Sequence, residues 1–301
     1  MKIKTNYIFM LVVTILGFSK AYGQVAFSGD PLNAVFEMKD VDGFWKAYNN
    51  IDKSKGNPFK EYIDNGSPGV KGFMEYRIIN ADSLFSMVKK RKEDYLKSKD
   101  VLKEIAAKEK RVKAIYSALK YWYPEAKFPP VYFVYGRFNS GGTVSKDGII
   151  IGTEMLTDLN GITGLIAHEL VHFQQNIKGD DTLLRQSLNE GGADFISEFV
   201  SGEIITNKAY KYGENHLEKL CKEFVTKMKG NDYQDWLYET SKKDDRPNDL
   251  GYWMGYKIVE MYFNKQADKH KAVYNILNIE DPYIFLKESG FLDPYIKKDT
   301  R

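Results

Sequence analysis

The chain of 301 residues carries 44 lysine and arginine residues against 41 aspartate and glutamate residues, a formal net charge of +3. Hydrophobic residues make up 43% and aromatic residues 14% of the sequence, which is enough to fill a core and excludes wholesale disorder. The near balance of charges argues against a nucleic-acid partner bound through a broad basic face. The single cysteine, Cys221, excludes an intrachain disulfide and a zinc cluster built from several thiolates.

Residues 1–23 have the pattern of a secretory signal peptide. Two lysines near the start precede an apolar run, Tyr7–Phe18, and Ala21-Tyr22-Gly23 places small residues at both positions that a signal peptidase reads. The run is too short for a transmembrane helix, which needs about 20 residues. We therefore predict an exported mature chain, residues 24–301, that is periplasmic or secreted and has no stable membrane span.

Helical periodicity dominates the first part of the mature chain. A short helix is predicted over Val41–Ile51, and longer ones over Ala81–Lys97 and Val101–Trp122. In the last of these, apolar residues recur at helical spacing between charged ones, and Pro124 ends the pattern. Residues 24–125 are therefore interpreted as a helical N-terminal part.

Two strand candidates follow, and helices fill the remainder. Pro129–Gly136 and Gly148–Thr153 are rich in β-branched or aromatic residues, and a turn is predicted between them at Asn139–Gly142. The later helices are predicted over Gly161–Lys178, Thr182–Ser201, His216–Lys229, Leu250–Asn264 and Asp281–Glu288. This order predicts a mostly helical α+β fold with a small sheet. No Pro- or Ser-rich linker follows residue 75, so one domain is favoured over residues 24–301, in which residues 126–301 form the core part.

The segment His168-Glu169-Leu170-Val171-His172 lies inside a predicted helix. Residues four apart share one face of a helix, so both imidazoles can meet one metal ion, and Glu169 is placed to reach a water on that metal. The alternative is a pair of core histidines beside a surface glutamate. The spacing favours a site for a single zinc ion.

A catalytic zinc site usually has three protein ligands. Glu190, in the next predicted helix, is the candidate for the third; the alternative is a capping or surface acid. Gly191 and Gly192 each cost a helix about 1 kcal/mol relative to alanine, which indicates close approach of another backbone or of the metal helix. Asp194 lies on the same face as Glu190 and is predicted to accept the second N–H of a ligand histidine, unless it is only a surface acid.

The two motifs together resemble a known group of enzymes. His168-Glu169-x-x-His172 followed by Asn189-Glu190-Gly191-x-Ala193 is similar to the gluzincin metallopeptidases, in particular the aminopeptidase N and leukotriene-A4 hydrolase group and small bacterial zinc-dependent proteases. The resemblance spans residues 130–260. It implies a zincin-like catalytic domain with a small mixed sheet, in which the metal helix packs on the helix of Glu190.

The resemblance also implies a residue that stabilises the transition state. Tyr252-Trp253-Met254-Gly255 fits the Y-x-x-G pattern of the aminopeptidase group, and a phenol O–H at Tyr252 can donate to an oxyanion. Tyr256 and His216 are the reserve candidates. The alternative is that Tyr252 is a core aromatic residue.

In the gluzincins an edge strand precedes the metal helix and pairs with extended substrate, and the resemblance gives that place to Gly148–Thr153. The G-x-M-E-N motif of aminopeptidases is absent, and Gly152-Thr153-Glu154-Met155 matches it only in part. Glu154 is a candidate for binding a substrate amine. The departure from the motif leaves exopeptidase activity unsupported.

The residues and the resemblance together predict an exported zinc metallopeptidase that acts on peptide or protein substrates. His168, His172 and Glu190 are the predicted ligands, Glu169 the general base for a metal-activated water, and Tyr252 the oxyanion donor. Two alternatives stay open: a non-catalytic exported zinc-binding protein of the same fold, and a zinc hydrolase of a non-peptide bond.

Overall fold

The computed structural model describes residues 27–203, 207–238 and 245–296. The predicted signal peptide, residues 1–23, lies outside these described residues and stays a prediction. Over the described ranges, helices predominate and surround a small mixed sheet, as an α+β fold requires. None of the helices in these ranges combines the length and the apolar character needed to cross a bilayer.

The α-helices of the described ranges are numbered in chain order. They are α1 Lys39–Asn49, α2 Phe59–Asp64, α3 Pro68–Phe73, α4 Ala81–Lys90, α5 Lys92–Val101, α6 Glu109–Trp122, α7 Ile162–Gln174, α8 Leu183–Ser201, α9 Asn207–Asn215, α10 Leu217–Lys227, α11 Leu250–Lys265, α12 Lys269–Leu277 and α13 Pro282–Ser289. The helices predicted near residues 41–51, 161–178, 182–201, 216–229, 250–264 and 281–288 are confirmed to within a few residues. Helices α2, α3, α9 and α12 were not predicted.

The sheet consists of β1 (Phe36–Glu37), β2 (Val131–Val134), β3 (Gly142–Ser145) and β4 (Gly148–Gly152). Their spatial order is β1-β2-β4-β3, with β1, β2 and β4 parallel and β3 antiparallel to β4. Every residue of β2 and β4 is buried. Such continuous apolar runs are typical of central parallel strands. β2 and β4 lie within the predicted strands Pro129–Gly136 and Gly148–Thr153, which are therefore confirmed.

The predicted position of Gly148–Thr153 at the edge of the sheet is wrong. This segment forms β4, which lies between β2 and β3, so β3 is the edge strand on this side. The error arises because β3, Gly142–Ser145, was not predicted. This half-buried strand begins where the predicted turn at Asn139–Gly142 ends, and its sequence Gly-Thr-Val-Ser gives little strand signal.

Two of the predicted N-terminal helices have the wrong bounds. Ala81–Lys97 is interrupted at Arg91, which separates α4 from α5. The guanidinium of Arg91 lies over the ring of Phe138, 3.6 Å from its centroid, so a tertiary contact holds the residue at which the helix breaks. The predicted helix Val101–Trp122 begins instead with the 3₁₀ segment Leu102–Lys108, and α6 follows it.

One cluster of buried hydrophobic residues runs from Ala34 to Leu292. Side chains of the helices before residue 125 and of the helices after it belong to the same cluster. The division of one domain into a helical N-terminal part, residues 24–125, and a catalytic core, residues 126–301, stays a prediction.

Helix α8 packs against both α7 and α11, and its contact with α11 is backbone to backbone. A Cβ added at Gly191 would lie 2.1 Å from the backbone N of Tyr256, and one added at Gly255 would lie 1.7 Å from the carbonyl O of Ser187. A Cβ added at Gly192 would meet no atom closer than 3.4 Å. The predicted close approach is therefore confirmed for Gly191, and its partner is α11 rather than the metal helix.

Candidate metal centre and catalytic cleft

An open cleft of about 1010 Å³ lies beside β3, α7, α8 and α11. Five predicted site residues line it: His168, Glu169, His172, Glu190 and Tyr252. The sixth, Asp194, is buried behind them and contacts His168.

Three ligand-type atoms converge at the floor of the cleft. The Nε2 atoms of His168 and His172 are 2.9 Å apart. The Oε2 atom of Glu190 lies 3.1 Å from His172 Nε2 and 3.6 Å from His168 Nε2. Among the described residues, these are the side chains that form a group able to hold a metal ion.

The spacing of these atoms fits zinc. A tetrahedral zinc ion with bonds of about 2.0–2.1 Å has ligand atoms about 3.3 Å apart. The observed distances of 2.9, 3.1 and 3.6 Å lie on both sides of that value. Two imidazole nitrogens and one carboxylate oxygen are also a donor set of catalytic zinc sites, which keep a fourth position open.

Each histidine is oriented through its other ring nitrogen. His168 Nδ1 lies 2.8 Å from Oδ1 of Asp194, whose Oδ2 accepts a hydrogen bond from Tyr210. His172 Nδ1 donates to Oε1 of Gln175 over 2.7 Å, and the Gln175 amide donates in turn to the backbone O of Asn189 over 2.7 Å. In the neutral form of each histidine, both arrangements place the proton on Nδ1, so that Nε2 is directed at the cleft with its lone pair, as a metal ligand requires.

The electrostatics of the cluster follow from burial and mutual attraction. Burial lowers the pKa of His168, but hydrogen bonds to Asp194 and Glu190 outweigh it and raise that pKa to about 10. Burial raises the pKa of Glu190, but the charge of His172 and hydrogen bonds from both imidazoles outweigh it, and its pKa lies well below the ordinary value. The pocket therefore strongly favours a cation in contact with the Glu190 carboxylate.

The local sequence explains how the two ligand helices meet. Helix α7 starts after Gly161, whose φ of 71° suits glycine, and the hydroxyl of Thr182 caps the first turn of α8. The short connection between the helices is held by the backbone N–H groups of Asn176 and Lys178, which donate to the carbonyl groups of Leu277 and Ile279 over 2.7 and 2.8 Å.

Glu169 lies one residue beyond His168 and faces the edge strand. A Cβ added at Gly142 of β3 would lie 2.5 Å from Oε1 of Glu169, so a side chain at this position would displace the carboxylate from where it lies. None of the described residues donates a hydrogen bond to it. Burial raises the pKa of Glu169, although the positive charges of His168 and His172 oppose the rise. A carboxylate in this setting is free to take a proton from a group in the cleft.

Two tyrosines that line the cleft contact the cluster. The ring of Tyr252 is nearly parallel to that of His168, with centroids 6.2 Å apart. Burial, and then the charge of Glu190, raises the pKa of Tyr252 well above its usual value, so its hydroxyl keeps its proton. Tyr238 donates a hydrogen bond from its hydroxyl to Oε1 of Glu190 over 3.2 Å.

Two weaker candidates lie elsewhere. His216 stacks on Tyr212, with centroids 4.0 Å apart, and does not line the cleft. Glu154 is buried, and its carboxylate accepts hydrogen bonds from the backbone N–H groups of Gly136 and Phe138 over 2.8 and 3.0 Å. Glu154 therefore holds the loop after β2, and its predicted contact with a substrate amine is wrong.

The residues that line the cleft but were not singled out from the sequence include Arg77, Gln175, Tyr238 and Asp249. Gln175 carried a signal, because it follows His172 by three residues at the end of the same helix. Tyr238 and Asp249 precede α11 in a connecting segment with left-handed backbone at both residues (φ 66° and 65°), which periodicity does not detect. Arg77 comes from the N-terminal part and has no motif around it.

Residues 135–281, just under half of the chain, match the model of a family described as Predicted Zn-dependent protease (DUF2268). The matched segment contains both ligand helices and Tyr252, whereas Arg77 lies outside it. This similarity supports a zinc protease family for the chain. No curated protein is significantly similar to the chain.

Proposed function

We propose that this protein is a zinc metallopeptidase of the gluzincin type that hydrolyses peptide bonds in its open cleft. The observation that carries the proposal is the convergence of two imidazole nitrogens and one carboxylate oxygen, 2.9–3.6 Å apart, beside a carboxylate that no described residue engages. The family description of the matched segment supports the same reaction class.

His168, His172 and Glu190 would hold the ion. Zinc, when bound, lowers the pKa of water from 15.7 to about 7 and polarises a carbonyl group. Glu169 takes the proton from the attacking water and passes it to the leaving amine. Tyr252 donates its phenolic proton toward the oxygen on which negative charge develops.

The edge strand provides the means to hold the substrate. β3 pairs with β4 on one side, and its other edge faces the cleft through Gly142, Thr143 and Val144. A peptide added along this edge is held by backbone hydrogen bonds, which do not depend on its side chains. The exposed strand edge supports the proposal of a peptide or protein substrate over that of a small polar molecule.

The proposal keeps the exported location that residues 1–23 predict, periplasmic or secreted. An exported peptidase with one buried cysteine has no need of a disulfide, because a chain of this size buries a sufficient core.

The test combines metal content with proteolysis. We expect about one zinc per purified chain by elemental analysis, and cleavage of casein or of a quenched peptide library. Glu169→Gln should retain the zinc and abolish turnover. Glu198→Gln is the matched control, because Glu198 lies on α8, one turn beyond Asp194, and does not line the cleft.

Each outcome separates the alternatives. Zinc binding without cleavage of any peptide would point to the non-catalytic zinc-binding protein. Turnover of an ester or epoxide without peptide cleavage would point to the hydrolase of a non-peptide bond. Wild-type activity in Glu169→Gln would show that the assigned general base is wrong.

A further inference from the structure

We propose that Arg77 is a specificity-determining residue that binds a carboxylate group of the substrate in this cleft; the inference rests on the proposed peptidase function. Arg77 belongs to the helical N-terminal part, outside the segment that matches the protease family. It thus gives residues 24–125 a role in recognition, in addition to their share of the core.

The guanidinium of Arg77 is available to a ligand. It lines the cleft, and among the described residues none accepts a hydrogen bond from it or forms an ion pair with it. Its Nε atom is buried without a partner. A buried donor left without an acceptor costs free energy, and a substrate oxygen would recover it.

The other arginine of the cleft is engaged differently. Arg185 donates from Nη2 to the backbone O of Ile177 over 3.1 Å, and its Nη1 lies 3.7 Å from a carboxylate oxygen of Asp181. Its Nη atoms therefore have protein acceptors in place, although its Nε, like that of Arg77, is buried without a partner. Within the described ranges no residue accepts a hydrogen bond from the guanidinium of Arg77, so Arg77 is the cleft arginine whose hydrogen-bonding capacity is unused.

The backbone around Arg77 is held in an unusual conformation. Residues Met74–Ile78 form a π-helical turn, in which the N–H of Ile79 donates to the carbonyl O of Met74 over 2.6 Å. Ile79 has a φ of 70°, which is unfavourable for a β-branched side chain. Such turns and such strain are concentrated at functional sites.

A second contact fixes this segment to the cleft wall. The carbonyl O of Arg77 accepts a hydrogen bond from Nε of Arg137 over 2.9 Å, and the Asn139 side chain donates to the carbonyl O of Tyr76 over 3.2 Å. The main chain that carries Arg77 is therefore tied to the loop leading into β3. The guanidinium is positioned by the scaffold rather than by a partner for its charge.

The position of Arg77 relative to the reacting groups indicates what it binds. Arg77 lines the same cleft as Glu169, and the two side chains form no ion pair. A peptide in this cleft offers one kind of anion, a carboxylate, either from an aspartate or glutamate side chain or from its C-terminus. The planar fork of arginine binds carboxylates in bidentate geometry.

Four versions of one cleaved, internally quenched peptide test this inference. The versions carry Glu or Gln at the variable position and a free or amidated C-terminus. We expect the wild type to prefer one carboxylate form through a lower KM. Preference for Glu identifies the side chain as the source, and preference for the free terminus identifies the α-carboxylate. An equal KM for all four peptides would overturn the proposal.

The variants then assign the preference to Arg77. Arg77→Gln should raise KM for the preferred peptide about 10- to 100-fold, leave its amide counterpart unchanged and change kcat little. Arg77→Lys keeps the charge without the fork and should recover part of the preference. Lys146→Gln, an equal charge change at the exposed turn between β3 and β4, is the control and should behave as wild type. A uniform fall in kcat on all four peptides would refute a role in specificity.

A binding arm separates this inference from the proposed function. The Glu169→Gln variant and the Glu169→Gln, Arg77→Gln double variant are each titrated with fluorescent forms of the four peptides. If the wild type cleaves no peptide, the four versions are made from a casein fragment instead. Carboxylate-dependent binding that Arg77→Gln removes supports the inference even without cleavage, in which case only the peptidase function fails. Peptide binding that ignores the carboxylate, or no binding at all, overturns it.

Discussion

Replacing Gly191 by alanine places a methyl group where α11 already lies. The added Cβ would be 2.1 Å from the backbone N of Tyr256 and 2.3 Å from the carbonyl C of Gly255, whereas non-bonded heavy atoms prefer about 3.5–4.0 Å. The helices α8 and α11 must therefore separate by roughly 1 Å or more. Overpacking of this kind costs about 1–3 kcal/mol or more, against a gain of about 1 kcal/mol in helix propensity. Because the atoms met by the Cβ belong to the backbone, we expect a cost of about 3 kcal/mol, at the upper end of this range, and hence a net loss of about 2 kcal/mol in the free energy of unfolding.

Gly192→Ala is the matched control, because it brings the same gain in helix propensity while its Cβ meets no atom closer than 3.4 Å. It should be as stable as the wild type or up to about 1 kcal/mol more stable. Urea unfolding followed by circular dichroism measures both variants, and a common m-value shows that the unfolded states are comparable. Since α8 carries Glu190 and α11 carries Tyr252, Gly191→Ala should also hold zinc less tightly. Equal stability of the two variants would refute the backbone-to-backbone contact.

Two further predictions concern the groups behind the cleft. Asp194→Asn and Gln175→Leu should each weaken zinc binding about 10- to 100-fold, measured by competition with a chelator, because each removes the acceptor that orients one ligand histidine; an effect confined to Asp194→Asn would contradict the role of Gln175. Burial raises the pKa of Glu154 from 4.5 to about 7. Between these values the folded state binds more protons than the unfolded state, so the free energy of unfolding should fall by a few kcal/mol as pH rises. Urea titrations across this range should show that Glu154→Gln lacks this component, and identical pH dependence in both proteins would exclude it.

The metal cluster was accessible from the sequence because its geometry is local. His168 and His172 are one helical turn apart, and so are Glu190 and Asp194, so each pair is placed on one face by helical spacing alone. Only the approach of the two helices to each other had to be assumed. The glycine next to Glu190 indicated a close contact but did not identify α11 as its partner.

The remaining features depend on contacts between distant segments, which a single sequence does not encode in its periodicity. Tyr238 reaches Glu190 from a connecting segment 48 residues away. β3 is a four-residue, half-buried strand whose place at the edge follows from its pairing with β4 and not from its composition. The break at Arg91 coincides with the contact of its side chain with Phe138, whereas the local pattern favours an uninterrupted helix.

The two hydrogen bonds that hold the connection between α7 and α8 have a consequence for the order in which the site forms during synthesis. Asn176 and Lys178 obtain their backbone acceptors from Leu277 and Ile279, far along the chain. Because a ribosome synthesises the chain from its N-terminus, the segment His168–His172 is made long before the segment that supplies these acceptors. A product that ends before residue 277 would therefore still contain His168, His172 and Glu190 but would lack both carbonyl acceptors of the connection between their helices.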